Sequence, residues 1–199
     1  MVRWGLSILV PAISGLGGVA IGAWLTARQG RRQRKYAFVE KQLREFYSPL
    51  LGIRLEIRMR SELRARIHSV ANDQWKKLCA EAREAGGPDQ LRKLSDDRFP
   101  EFKRLTEYDN RQLTEELLPA YRQMIDIFRK NLWLAEPETQ RHFGKLVEFI
   151  DLWDRWIDKA IPLEVIEALQ HGEESLYPFY EHLEQTHREL QGMIKSGET

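Results

Sequence analysis

Hydrophobic and polar positions divide this chain into two unlike parts. From Gly5 to Ala27 no charged residue interrupts 23 positions. As a helix rising about 1.5 Å per residue, such a run spans roughly 35 Å, enough to cross a hydrocarbon core of about 30 Å. Beyond Lys35 the pattern changes to amphipathic helix. Tyr36, Val39, Leu43, Phe46, Leu50, Ile53 and Ile57 recur three and four residues apart, a continuous coiled-coil-like seam. Pro49 interrupts it, predicting either a kink or a new helix capped by Ser48 with proline at its first position. Leu63, Ile67, Val70 and Leu78 carry the helical pattern to about Glu84, where Gly86, Gly87 and Pro88 end it.

The next stretch, "GGPDQLRKLSDDRFP", reads as a polar connector with room for one short helix. Asp109 and Gln112 then form a capping box ahead of a helix whose Leu117, Tyr121, Met124, Phe128 and Leu132 share a face, with Pro119 kinking its first part. Pro137 opens a further helix with Leu146, Ile150, Trp153, Ile157 and Ala160 on its buried side, and Phe149 and Trp156 beside them. Pro162 starts a short helix. The last one puts Leu176, Tyr180, Leu183, His187, Leu190 and Ile194 on one seam. Amphipathic helices cannot bury their faces singly, so the expected fold is all-α: an N-terminal transmembrane helix followed by a multi-helix bundle. The expected organisation is an anchor at 1–27, a basic juxtamembrane segment at 28–35, the bundle at 36–195 and a tail at 196–199.

Charge sets the orientation of the anchor. All ionisable residues among the first 35 are basic: Arg3, Arg28, Arg31, Arg32, Arg34 and Lys35. A signal peptide places cations before a shorter apolar run and a small-residue cleavage site after it, whereas here one arginine precedes and five cations follow. The segment therefore reads as an uncleaved anchor. Positive charge stays on the cytoplasmic side, which puts Met1–Trp4 outside and everything after Arg28 in the cytoplasm. Trp4 and Trp24 stand at the two ends, where indoles favour the interface, and Arg28, Arg31, Arg32, Arg34 and Lys35 face the headgroups. Ser14, Gly18, Gly22 and Thr26 recur every four residues. Such a small-residue stripe lets two transmembrane helices approach closely.

Residues 36–199 carry 25 of the 31 Lys and Arg against all 30 Asp and Glu, a formal −5. A domain that acidic is a poor partner for nucleic acid, whose binding rests on cations displacing counterions. The single Cys79 precludes an intramolecular disulfide, fits a reducing compartment and reads as a small buried apolar residue.

Two clusters attract attention as chemistry. Glu184 and His187 lie three residues apart on one helical face, the spacing used in carboxylate-bridged di-iron bundles. The second Glu–His pair that such a centre needs is missing, since none of His68, His142, His171 and His182 is preceded by a glutamate at that spacing, and Glu138, four residues before His142, is one imperfect partner that does not complete the set. The simpler reading makes His187 a hydrogen-bonded seam residue and pairs Glu184 with Arg188. Arg54, Arg58, Arg60, Arg64 and Arg66, with Glu56 and Glu62 between them, read as a solvated, salt-bridged helix surface. The aromatics of "NLWLAEP" and "SLYPFYEHLE" read as satellite core at helix ends.

No nucleophile elbow, zinc cluster, HExxH or phosphate-cradling glycine loop occurs. No catalytic residue, metal or cofactor is assigned. The reading is a single-pass membrane protein with a non-enzymatic cytoplasmic interaction or assembly module, working as a homo-oligomer or with a protein partner. The alternative is a membrane-tethered enzyme or ligand or metal sensor with a pocket inside the bundle. Whether the 36–57 seam closes within the chain or on another chain is open at this level.

Overall fold

The computed structural model describes Trp24, residues 26–169 and residues 171–197. These residues are helical with short turns, and no strand occurs among them. Most of the anchor segment, residues 1–23 and 25, including Trp4, Ser14, Gly18 and Gly22, lies outside the described residues. Among those described, no helix is long and apolar enough to cross a membrane.

The first helix, α1 (residues 26–42), continues through a π-helical turn, Leu43–Tyr47, into the hydrogen-bonded span Ser48–Gln112. That span is two helices. Gly86 (φ −170°, ψ 19°) and Gly87 (φ 62°, ψ −144°) break it into α2 (residues 48–85) and α3 (residues 88–112). Gly87 occupies a backbone region that an L side chain avoids, and Pro88 then starts α3 with the fixed φ a first turn needs. The pairs Trp75–Phe102, His68–Asp109 and Arg60–Glu116 each stand nearly equidistant from this break, so α2 and α3 form an antiparallel hairpin. The expected polar connector after Gly87 is therefore helix. The expected capping box is corrected too, because Asp109 and Gln112 sit inside α3, with no N-terminus there to cap.

A second π-turn, Leu113–Leu117, leads into α4 (Leu118–Asn131). Both π-turns have one cause. Proline lacks an N–H, and its ring clashes with the carbonyl four residues earlier. For Pro49 and Pro119 that carbonyl belongs to Glu45 and Glu115, the middle residue of each π-turn. Widening the helix there absorbs the proline without ending it, so Ser48 is a helical residue and not a cap. A 3-10 turn, Leu132–Leu134, then reverses the chain. It is followed by α5 (Pro137–Arg141) and α6 (Phe143–Ile157), with Pro137 at the helix start as its sequence predicts. Pro162 precedes α7 (Leu163–Ala168), and a 3-10 turn, Glu173–Leu176, leads to α8 (Tyr177–Ser196).

Cross-contacts fix the topology as an up-down-up-down bundle of the α1–α2 rod, α4, α6 and α8. Asn131 meets Glu45 and Tyr121 meets the Arg54 partner Glu173, so α4 runs against the rod. His187 meets Ser48 and Arg54 lies on Tyr180, so α8 does too. The seam of the rod closes within the chain: Val39, Leu43, Phe46, Leu50 and Ile57 are buried against α4 and α8, while Tyr36 alone of the set is exposed. Phe128 touches Phe46, Phe143 and Phe179 at ring-centroid distances of 5.0, 5.2 and 5.7 Å and so joins all four members. Each such fully buried side chain contributes about 1.5–3 kcal/mol of transfer free energy. Ala160, Leu132 and Trp156, expected inside, are exposed, and Cys79 is half-buried.

Candidate functional site

The bundle leaves most of the hairpin unsupported. Within Ser48–Gln112 the buried residues are Leu50, Arg54, Ile57 and Ala82, and the first three belong to the bundle. Past Ile57 the rod keeps rising for about 40 Å at 1.5 Å per residue, and α3 alone accompanies it. One face of α2 meets α3 through Trp75, whose ring lies 5.9 and 5.1 Å from those of Phe99 and Phe102. A second face carries Met59, Leu63, Ile67 and Val70, with 65, 47, 41 and 56 % of their surface exposed. Spacings of three and four residues place these four aliphatics on one stripe. Leu63, Ile67 and Val70 are positions through which sequence periodicity carries the helix, and Met59 extends their stripe. The periodicity is real, but no described element covers it.

The arginine group divides. Arg58 pairs with Glu62 at 2.7 Å, and Arg60 pairs with Glu56 at 2.8 Å and with Glu116 across the hairpin, as a salt-bridged surface should. Arg54 departs from that reading because it is buried. It donates to Glu173 Oε1 at 2.9 Å, while its guanidinium lies 3.7 Å from the Tyr180 ring centroid. Tyr121 donates to the same oxygen at 3.0 Å, and Tyr180 completes the group at 3.5 Å. Burial pushes both phenols well above their ordinary range, so they remain donors. With Arg54 and Tyr121 both donating to one oxygen, Glu173 is engaged in holding the bundle together. Glu173 gave no sequence signal, because 119 residues separate it from Arg54.

His187 does not join Glu184 in a ligand set. Its Nε2 lies 3.0 Å from Ser48 Oγ, and burial lowers its pKa from the usual imidazole range. Arg188 donates to the backbone carbonyl of Glu184 at 3.3 Å, where pairing with the carboxylate was expected. His142 and His182 stack at 5.6 Å, and His182 Nε2 shares a hydrogen bond of 2.8 Å with Thr139 Oγ1. Thr139 Oγ1 in turn meets the buried Tyr47 hydroxyl at 3.0 Å. Among the described residues, no group of three or more His, Cys, Asp or Glu side chains is arranged to hold a metal ion.

The largely apolar groove between α2 and α3, of about 420 Å³, is lined by Trp75, Phe99, Phe102 and Leu105, with His68 at its rim. His68 Nε2 hydrogen-bonds Asp109 there.

At the opposite end of the rod, Arg28, Arg31, Arg32, Arg34 and Lys35 are all exposed on α1, and Arg28 lies 5.3 Å over the Trp24 ring. Thr26, the one member of the small-residue stripe within the described residues, is on the same helix. A few residues on, Trp133 at the α4–α5 corner stands against Phe38, 5.9 Å between centroids, with Lys41 Nζ 4.7 Å over its ring. The satellite-core reading of the aromatic in "NLWLAEP" therefore fails, because Trp133 is 57 % exposed, while its neighbour Leu134 is buried. In "SLYPFYEHLE", Leu176, Phe179 and Tyr180 are buried and Tyr177 is exposed. Comparison with protein-family models, with curated proteins and with solved structures found no match to this chain.

Proposed function

We propose that this chain is a single-pass membrane protein, its N-terminus outside and its bundle cytoplasmic, and that the bundle serves as a non-enzymatic assembly module acting through the α2–α3 hairpin. The observation that carries this reading is the exposed Met59–Leu63–Ile67–Val70 stripe on a helix pair that buries Ala82 alone beyond the bundle. Two helices in water rarely stand apart with that much aliphatic surface uncovered. The occupant proposed for it is the same stripe of a second copy. The reason is alignment: a small-residue stripe at Ser14, Gly18, Gly22 and Thr26 pairs anchors in parallel, and the rod of each copy then rises beside the other.

Native mass spectrometry of the full-length protein in mild detergent tests this. The expected result is a mass at an integer multiple of 23.5 kDa, lost in the Leu63→Glu/Ile67→Glu variant and weakened by Gly18→Ile/Gly22→Ile. A monomer with a second polypeptide attached replaces self-assembly by docking of another protein. A monomer carrying a small nonlipid adduct favours the second reading, a membrane-tethered enzyme or sensor. Its place would be the aromatic groove of the hairpin with His68 and Asp109 at the rim.

A further inference from the structure

The corner that joins α4 to α5 lies at the same end of the bundle as the basic juxtamembrane segment. Trp133 and Leu132 are exposed there beside Phe38, itself 41 % exposed. Lys41 lies over the indole, and α8, running against the rod, brings the exposed Met193 and its last cation, Lys195, to that end. The acids nearby are engaged. Glu40 pairs with Arg44 at 3.8 Å, Glu45 with Lys41 and Arg44 at 3.9 and 3.1 Å, and Glu138 with Arg141 at 2.7 Å. Glu136 sits half-buried beyond the corner.

We infer that this corner is a second membrane contact: a patch that lies on the anionic surface of the bilayer holding the anchor, with Trp133, Leu132 and Phe38 entering the headgroup layer. The inference rests on the anchor reading of residues 1–27. Its occupant follows from chemistry and continuity. An exposed indole under a lysine, next to five cations within residues 28–35 and no acid among them, suits a negatively charged interface of mixed polarity. That surface begins where the rod leaves the membrane. Geometry also permits the contact. Phe38 is 11 residues past Ala27, about 16 Å along the helix. A run of 23 uncharged residues is long enough to span with some tilt, and a tilt toward the Trp133 side would lower the corner toward the headgroups.

Depth-dependent quenching tests the contact on the full-length chain in vesicles. With Cys79→Ser as background, single cysteines replacing Leu132, Trp24 and, at the hairpin tip, Asp89 carry an environment-sensitive fluorophore. The vesicles contain brominated phosphatidylcholine alone or mixed with phosphatidylglycerol, and circular dichroism verifies the helicity of every variant. The expected result is strong quenching at positions 24 and 132 and none at 89. The signal at 132 should rise with phosphatidylglycerol and fall at least twofold when Trp133→Ala/Phe38→Ala is added. Quenching at 24 with 132 as silent as 89 overturns the contact and leaves the anchor standing. Absence of quenching at 24 removes the anchor reading and the contact with it. Equal quenching at 132 in both vesicle types overturns the anionic surface as the partner.

Discussion

Asn131 supplies the hydrogen bond that Pro49 cannot. The Glu45 carbonyl has lost its helical donor to the proline, and the Asn131 side-chain amide donates to it at 2.9 Å. Asn131→Ala leaves that half-buried carbonyl to whatever water reaches it and should cost about 1 kcal/mol in urea denaturation. Conservative replacement by Gln reaches one bond too far and should not restore the loss. His171 has the opposite difficulty. Its ring sits among Phe149 and Trp153, 4.9 and 5.5 Å between centroids, and its Nε2 is buried with no partner. Phenylalanine keeps the shape and removes the orphaned nitrogen, so His171→Phe should raise stability by about 1 kcal/mol. A lower denaturation midpoint in that variant would show the nitrogen to be satisfied by solvent.

Elements record which sequence signals survive folding. The 3.6-residue period located α2, α4, α6 and α8 but missed α3, and Pro137 and Pro162 marked helix starts, because these signals depend only on local geometry. The glycines and proline at 86–88 were read as the end of helical structure, yet they form a tight reversal whose partner helix begins at once. Composition misled here. The stretch after Pro88 is polar because α3 has solvent on most of its circumference, not because it lacks a helix. The conformation of Gly87, φ 62° with ψ −144° and no atom crowding a Cβ, makes its replacement purely a matter of backbone strain. Gly87→Ala should cost about 1–3 kcal/mol, confined to the hairpin. Faster tryptic cleavage at Arg83 and Lys93, with unchanged protection of α4 and α8, is the expected signature. The Arg54–Glu173 pair ties α2 to the start of α8 and belongs to the same scale. Arg54→Met keeps the length and apolar stem but strands Glu173 against two phenols, and should cost about 2–4 kcal/mol, below the full loss for a sealed pair because Glu173 keeps some solvent. A double-mutant cycle with Glu173→Gln should return a coupling well above that of an exposed pair.

At the scale of the molecule, the candidate sites were legible only in part. The Glu184–His187 spacing was visible but its surroundings were not, since Ser48, which takes up His187, lies 139 residues away. Leu63, Ile67 and Val70 were visible as apolar periodicity, but no pattern within one chain states whether the rest of that chain reaches far enough to cover them. The histidines give the whole bundle a common pH response. Burial holds His142, His171 and His187 below the ordinary imidazole pKa, with the His182 ring adding to the effect on His142 and Glu138 and Glu148 opposing it at His142 and His171. The folded state therefore prefers these rings neutral. As pH falls through about 6.5 the unfolded chain takes up their protons first, so stability is complete above that value and declines below it until the folded-state pKa values are passed. Urea midpoints of the full-length protein should be flat from pH 8 to 7 and fall between pH 7 and 5.5. His142→Gln and His171→Phe should each shallow that fall. A midpoint that rises on acidification would mean that the carboxylates facing these rings outweigh their burial.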